Sequence, residues 1–236
     1  MTDDRPSVIE AARRYIARGF QPIPIAPRSK APVRARWSES RIDADDVPLL
    51  FTEESNIGLL LGEPSGCLVD VDLDDPDARA RADEFLPPTG AVSGRASSPR
   101  SHRWYVCRGA PFRRYFDPVT RKPIVEVRST GAQTLVWPSV HPSGEVYEPF
   151  DGAPAIVGAD ELLRAVADLA GAVCAARHGP DWNAAPQWRA TGDEPPANGS
   201  MTPTDDAAVV DRAVKYLERL DPAISGAGGH NQTLWA

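Results

Sequence analysis

Cysteine is scarce in this chain, with three among 236 residues. Cys67, Cys107 and Cys174 stand far apart and in no paired spacing. That excludes a disulfide framework and a cysteine-rich zinc site, and leaves buried free thiols in a reducing, cytoplasmic setting as the expectation. No apolar run approaches the ~20 residues of a membrane-spanning helix, so no membrane partner is expected. The N-terminus is too polar for a secretion signal, and no internal repeat is visible. What remains is ordinary for a soluble globular protein: 42% hydrophobic and 25% charged residues. The length accommodates one large domain, or one domain with a small appendage.

Net positive charge is also missing. The formal charge of -7 argues against a nucleic-acid partner until it is resolved along the chain. From Arg95 to Arg128 there are nine basic residues against two acids, and the first 36 residues carry eight against three. The acids gather around positions 39–84 and in the C-terminal third. Phosphates respond to local potential, screened over ~8–10 Å, so this segregation matters more than the total.

Periodicity divides the chain. Val8, Ile9, Ala12, Tyr15 and Ile16 form the apolar stripe of a helix over Val8–Ala17, stopped by Gly19. Phe20–Ile25 reads as a strand, with Pro22 and Pro24 favouring an edge position. The spacing predicts a short helix over Ala44–Phe51, a strand over Ile57–Leu61, and a turn at 62–66 that closes a hairpin onto the next strand. Asp77–Phe85 is helical in character. Arg103–Arg108, Ile124–Arg128 and Gln133–Val136 read as strands, and Asp160–Arg177 as a long amphipathic helix. Residues 1–179 are therefore expected to form one domain. The Pro-, Gly- and Ala-rich segment 180–206 reads as a linker. Residues 207–236 read as the start of a helical domain that continues in a longer natural protein.

The most informative stretch runs from Leu68 to Asp74, where an apolar strand ends in alternating carboxylates. Successive strand residues face opposite ways, so Asp70, Asp72 and Asp74 share one side while Val69, Val71 and Leu73 pack on the other. Same-face neighbours lie roughly 6.5–7 Å apart, and a divalent cation is one way to offset their repulsion. Oxygen-only ligation favours Mg or Mn over Zn. The competing reading is a strand running into an acidic turn, with Asp74-Asp75-Pro76-Asp77 capping a helix. Two further elements bear on the choice. His102 stands just before or at the start of a strand, with Arg100 and Arg103 beside it, as an anion site would need. Taken alone, a single histidine is more often a structural residue. Glu126 interrupts the strand Val125-Glu126-Val127-Arg128, and could equally pair with an arginine. Acids on two strands with an Arg/His cluster between them suit phosphoryl transfer. Two metals ~3.5–4 Å apart can hold the attacking hydroxyl and the leaving pyrophosphate in line, and cations meet the charge on the phosphate oxygens.

This ordered series resembles the N-terminal domain of bifunctional DNA primase–polymerases, a branch of the archaeo-eukaryotic primase superfamily found in phage and plasmid replication proteins. The resemblance covers roughly residues 8–150. It takes in Ala11-Ala12-Arg13-Arg14-Tyr15 with Gly19, Pro22–Pro32 with Lys30, Trp37, Asn56-Ile57-Gly58, Asp70-Val71-Asp72, His102, Glu126 with Gly131-Ala132-Gln133, and the block 138–144. It implies that Asp70, Asp72 and Glu126 ligate two Mg or Mn ions. It also implies that His102, with Arg100 or Arg103, holds the incoming nucleoside triphosphate. Lys30, Arg128, Gln133, Ser139 and His141 would line the nucleotide or template side. Arg100 stands where the family often has serine, and Glu126 where it often has aspartate. The implied fold is α+β: an RRM-like, mixed and largely antiparallel sheet flanked by helices, with a short C-terminal helical segment. The implied partners are single-stranded DNA, nucleoside triphosphates and a helicase domain downstream. Two other readings are kept open: a Mn-dependent nucleotide-sugar glycosyltransferase, and a non-catalytic single-strand-binding module using Trp104, Tyr105 and Trp137 as stacking platforms.

Overall fold

The computed structural model describes residues 6–150, 152–179 and 187–188. Helix α1 (Val8–Ala17) begins at a reciprocal capping box between Ser7 and Glu10, and buries Val8, Ala11, Ala12 and Tyr15. Gly19, at φ +82°, reverses the chain into β1 (Gln21–Ile25). β1 is the edge of a three-stranded antiparallel sheet in which β2 (Asn56–Leu60) is central and β8 (Gln133–Val136) completes the set. An edge suits Pro22 and Pro24, which have no amide to donate. Helix α2 is a single turn, Val47–Leu50, shorter than its composition suggests. Pro48 sits in that turn, and its ring blocks extension toward the acidic residues upstream.

The larger sheet runs β10-β6-β7-β3-β5-β4. Its strands are β3 (Leu68–Asp72), β4 (Val92–Arg95), β5 (Ser98–Val106), β6 (Arg113–Phe116), β7 (Pro123–Arg128) and β10 (Gln187–Trp188). A two-residue strand, β9 (Ala155–Ile156), adds to β5 in parallel, and the other pairs are antiparallel. The architecture is therefore α+β with largely antiparallel sheets, divided between two sheets where one was expected. β4, β6 and β9 were not evident from composition. Val92-Ser93-Gly94-Arg95 and Arg113-Arg114-Tyr115-Phe116 are short and lack a regular apolar alternation, and they are held by pairing with β5 and β7.

One expected pairing shrinks to a single antiparallel bridge, Gly62 to Leu68. β2 and β3 do not continue it into a hairpin ladder, because both edges of β2 are taken by β1 and β8, and both edges of β3 by β5 and β7. The link between them is a 3-10 turn, Glu63–Ser65, that carries the chain from one sheet to the other. A Cβ at Gly62 would lie 2.0 Å from Thr130 Oγ1, so the crossing requires glycine there.

Alternation along β3 separates two cores. Val69, Val71 and Leu73 pack with Val125 and Val127 beneath α3 (Pro76–Phe85) and α4 (Ala159–His178). Leu68 and Trp104 lie on the opposite face, in a core shared with α1 and β2. Asp70 and Asp72 have the parity of Leu68, so they point away from the helices and toward the smaller sheet. Cys107 and Cys174 are buried free thiols and Cys67 is half-buried. Among the described residues, no helix is long and apolar enough to cross a membrane. The predicted helical segment 207–236 lies outside the described residues. So does the 180–206 linker, apart from the two residues of β10, which pair with β6.

Candidate active site

Sheet register assembles the acids. Asp72 on β3 is opposite His102 on β5 and opposite Glu126 on β7, so the three form one row across three strands. The adjacent row is Trp104, Asp70 and Arg128. Neighbouring strands lie ~4.8 Å apart, which brings these side chains within mutual reach. His102 stands in the middle of β5 rather than at a strand's start, because β5 begins at Ser98.

Two groups of ligand atoms result, each lying within 4.8 Å of one another: Asp70, Asp72 and His102, and Asp72, Asp74 and Glu126. Asp72 belongs to both. Asp70 and Glu126 do not share a group; they meet through Asp72. The second group is all oxygen, the donor set that suits Mg or Mn. Asp74, which follows the end of β3, joins it as an exposed residue at the rim.

Each carboxylate is oriented. Asp70 is fully buried and accepts from Thr134 Oγ1 at 2.7 Å and from His102 Nδ1 at 3.0 Å. Arg128 bridges Asp72 at 2.6 Å and Glu126 at 3.0 Å, while Arg114 on β6 also reaches Glu126. Burial works against the His102 and Arg128 cations, but the carboxylates around them prevail and raise both pKa values. The Asp74 carboxyl is pushed up to about 7, first by desolvation and then by the charges of Asp72 and Glu126. Since Asp74 is exposed overall, the neighbouring charges deserve the greater weight. A carboxyl whose pKa is raised in part by neighbouring acids sits where negative charge gathers, as a cation site requires.

Beside the acids lies a cleft of ≈ 570 Å³, partly open to solvent. Asp72, Asp74 and His102 form one side, and Lys30, Arg79, Arg95 and Arg128 supply positive charge. Arg79 Nη1 donates to the carbonyls of Leu73 and Asp74 at 3.0 Å each, which ties α3 to the acidic loop. Lys30 loses basicity through desolvation and the nearby Arg128 charge. Gln133 also lines the cleft, and its Nε2 donates to the Lys30 carbonyl at 3.0 Å. A Cβ at Gly58 would come within 2.5 Å of Gln133 Oε1, so glycine at 58 makes room for that side chain.

Other residues singled out from the sequence lie elsewhere. Arg103 alternates away from His102 and binds Asp83 on α3 at 2.7 Å, and Arg100 reaches the same carboxylate at 3.3 Å. Neither lines the cleft. Ser139 is buried and exchanges hydrogen bonds with the backbone of Ile57, pinning the end of β2. His141 bonds Ser143 at 2.8 Å and lies outside the cleft lining, close enough for burial and the charges of Lys30 and Arg95 to lower its pKa. Trp104 and Tyr105 are fully buried, and Trp104 stacks on Phe150 at 4.7 Å. They are core residues, not stacking platforms. Sequence reasoning left out Thr134, Arg79, Arg95 and Tyr147, all of which line the cleft. Asp74 was placed on the acids' side of the strand without being given a site role.

Fold and site together define an α+β domain whose central antiparallel sheet carries carboxylates suited to divalent cations beside a cationic cleft. The chain belongs to the family of bifunctional DNA primase/polymerase N-terminal domains, whose model matches residues 12–169. Comparison with curated proteins finds no match.

Proposed function

We propose that this domain catalyses metal-dependent, template-directed nucleotidyl transfer, making primers and extending them on single-stranded DNA. The observation that carries the reading is the row His102–Asp72–Glu126 with Asp70 behind it, aligned by strand register beside a cleft lined with cations. Asp70, Asp72, Glu126 and Asp74 would hold the divalent ions. Bound there, Mg or Mn supplies positive charge for a 3′ hydroxyl and a departing pyrophosphate. The protein's own part is orientation. Thr134 and His102 fix the Asp70 carboxylate, Arg128 keeps Asp72 and Glu126 facing one another, and Lys30, Arg79 and Arg95 meet the triphosphate oxygens in the cleft. Against the desolvation of its buried site, Asp70 and Asp72 raise the His102 pKa, which favours the imidazolium and suits contact with phosphate.

Family membership favours nucleotidyl transfer over the glycosyltransferase reading. The test incubates the protein with a single-stranded template, labelled nucleotides and Mn or Mg. Product should form with the wild-type chain and be lost in Asp72→Asn, which removes the residue common to both acid groups. Undiminished product in that variant would refute the assignment.

A further inference from the structure

The loop from Arg28 to Arg41 carries five basic residues (Arg28, Lys30, Arg34, Arg36 and Arg41) against one acid, Glu39, in a chain whose net charge is -7. All five are exposed. The loop's root is fastened to the smaller sheet. Ile25 bridges Pro32, Val33 N donates to the Pro24 carbonyl at 3.3 Å, Asn56 Nδ2 donates to the Ser29 carbonyl at 3.1 Å, and Gln133 holds the carbonyl of Lys30. The basic residues therefore project from a fixed base.

The two ends of this loop differ. At the inner end, Lys30 lines the acidic cleft. At the outer end, a second hollow of ≈ 560 Å³, also partly open, has an apolar floor of Ile42, Leu49 and Leu50 between Arg34 and Arg41. Asp46 is the one acid lining it. Leu49 is 81% exposed and Val33 beside it 61%. Arg36 is paired with Glu39 and Arg41 donates to the carbonyls of Ser38 and Ser40, whereas Arg28 and Arg34 have no anionic partner among the described residues. Arg34 is four positions along the chain from Lys30, a span of at most ~14 Å. Cations alternating with exposed apolar surface match the chemistry of a single-stranded nucleic acid, whose phosphates need charge and whose unstacked bases need a dry face.

We infer that the 28–41 loop is the track along which the single-stranded template leaves the cleft, with Arg28 and Arg34 on its phosphates and the Leu49 hollow receiving a base. This rests on the polymerase reading for the identity of the strand. Its test does not depend on catalysis. Binding of a fluorescent oligothymidylate is followed by anisotropy across a salt series, in EDTA and without nucleotides. Each lost phosphate contact lowers the slope of log K against log salt by about 0.7 for a single strand. Arg28→Ala/Arg34→Ala should therefore flatten the slope by about 1.4, which is about 25-fold weaker binding at 0.1 M salt if affinity at 1 M is unchanged. Arg34→Lys should restore most of the slope lost in Arg34→Ala. Arg164→Ala, on the exposed side of α4, should leave it unaltered. An unchanged slope in the double variant refutes the track, as does failure of the wild-type chain to bind, or a loss of equal size in Arg164→Ala. Loss of nucleotide incorporation in Asp72→Asn with this slope intact would separate the two proposals.

Discussion

Arg128 offers the sharpest test of the acid row. Its guanidinium is largely buried and contacts Asp72 at 2.6 Å and Glu126 at 3.0 Å, so Arg128→Met would keep the side chain's bulk while leaving buried Asp72 with only His102 at 3.6 Å and buried Glu126 with Arg114 alone. Breaking a buried pair by removing one partner costs about 3–5 kcal/mol. In a domain of this size each kcal/mol lowers Tm by about 2–4 °C, so the variant should melt roughly 6–20 °C below wild type in EDTA. The exposed charge is also what attracts a cation. If Asp72, Asp74 and Glu126 form a metal site, Mn at 100 times its Kd should return about 2.7 kcal/mol, the greater part of the loss at the lower bound. The measurement is a thermal melt followed by circular dichroism in EDTA and in graded Mn, with wild type alongside. A variant as stable as wild type in EDTA would refute the burial argument. A variant that is destabilised but indifferent to Mn and Mg would refute the cation site.

Four other outcomes follow from the same geometry. The Asp74 carboxyl is raised from 3.8 to about 7 in the folded chain, so protonation favours the folded state, and metal-free stability should fall as pH rises from about 4 through 7. Asp74→Asn should remove that part of the fall, read as urea midpoint against pH; a slope identical to wild type refutes it. His102 adds a fall of the same sign at higher pH, because its pKa is also raised, and that part should persist in Asp74→Asn. Thr134→Val removes a hydroxyl that donates to a buried carboxylate and should cost about 1.5–3 kcal/mol in urea unfolding. Trp104→Ala should cost about 3–5 kcal/mol as a core truncation, while its folded fraction binds oligothymidylate as wild type does; selective loss of binding would revive the stacking role. Gly62→Ala meets Thr130 and a positive φ, so it should cost more than about 1 kcal/mol in urea unfolding, whereas the same change at an unstrained glycine stabilises.

Much of this protein was legible in one dimension because the information is local. The stripe Val8, Ala12, Tyr15 and the alternation Val69-Asp70-Val71-Asp72 each depend on neighbours a few residues away, and the elements they specify are α1 and β3. The ordered series of acids, histidine and glutamate was enough to indicate the family. Pairing was another matter. The turn at 62–66 reads as a hairpin, and whether β2 and β3 join depends on strands more than 30 residues further along competing for the same edges. Arg100 and Arg103 flank His102 in sequence, yet alternation along β5 and the carboxylate of Asp83 draw Arg103 to the helical face. Thr134, Arg79 and Arg95 have no motif to announce them; they enter the cleft because β8, α3 and β4 are packed around it. The residue types and their order thus pointed to the family. Only the register of β5 and β7 against β3 decided which acids stand side by side, since a carboxylate's neighbours across a sheet are set by long-range hydrogen bonding rather than by the adjoining residues.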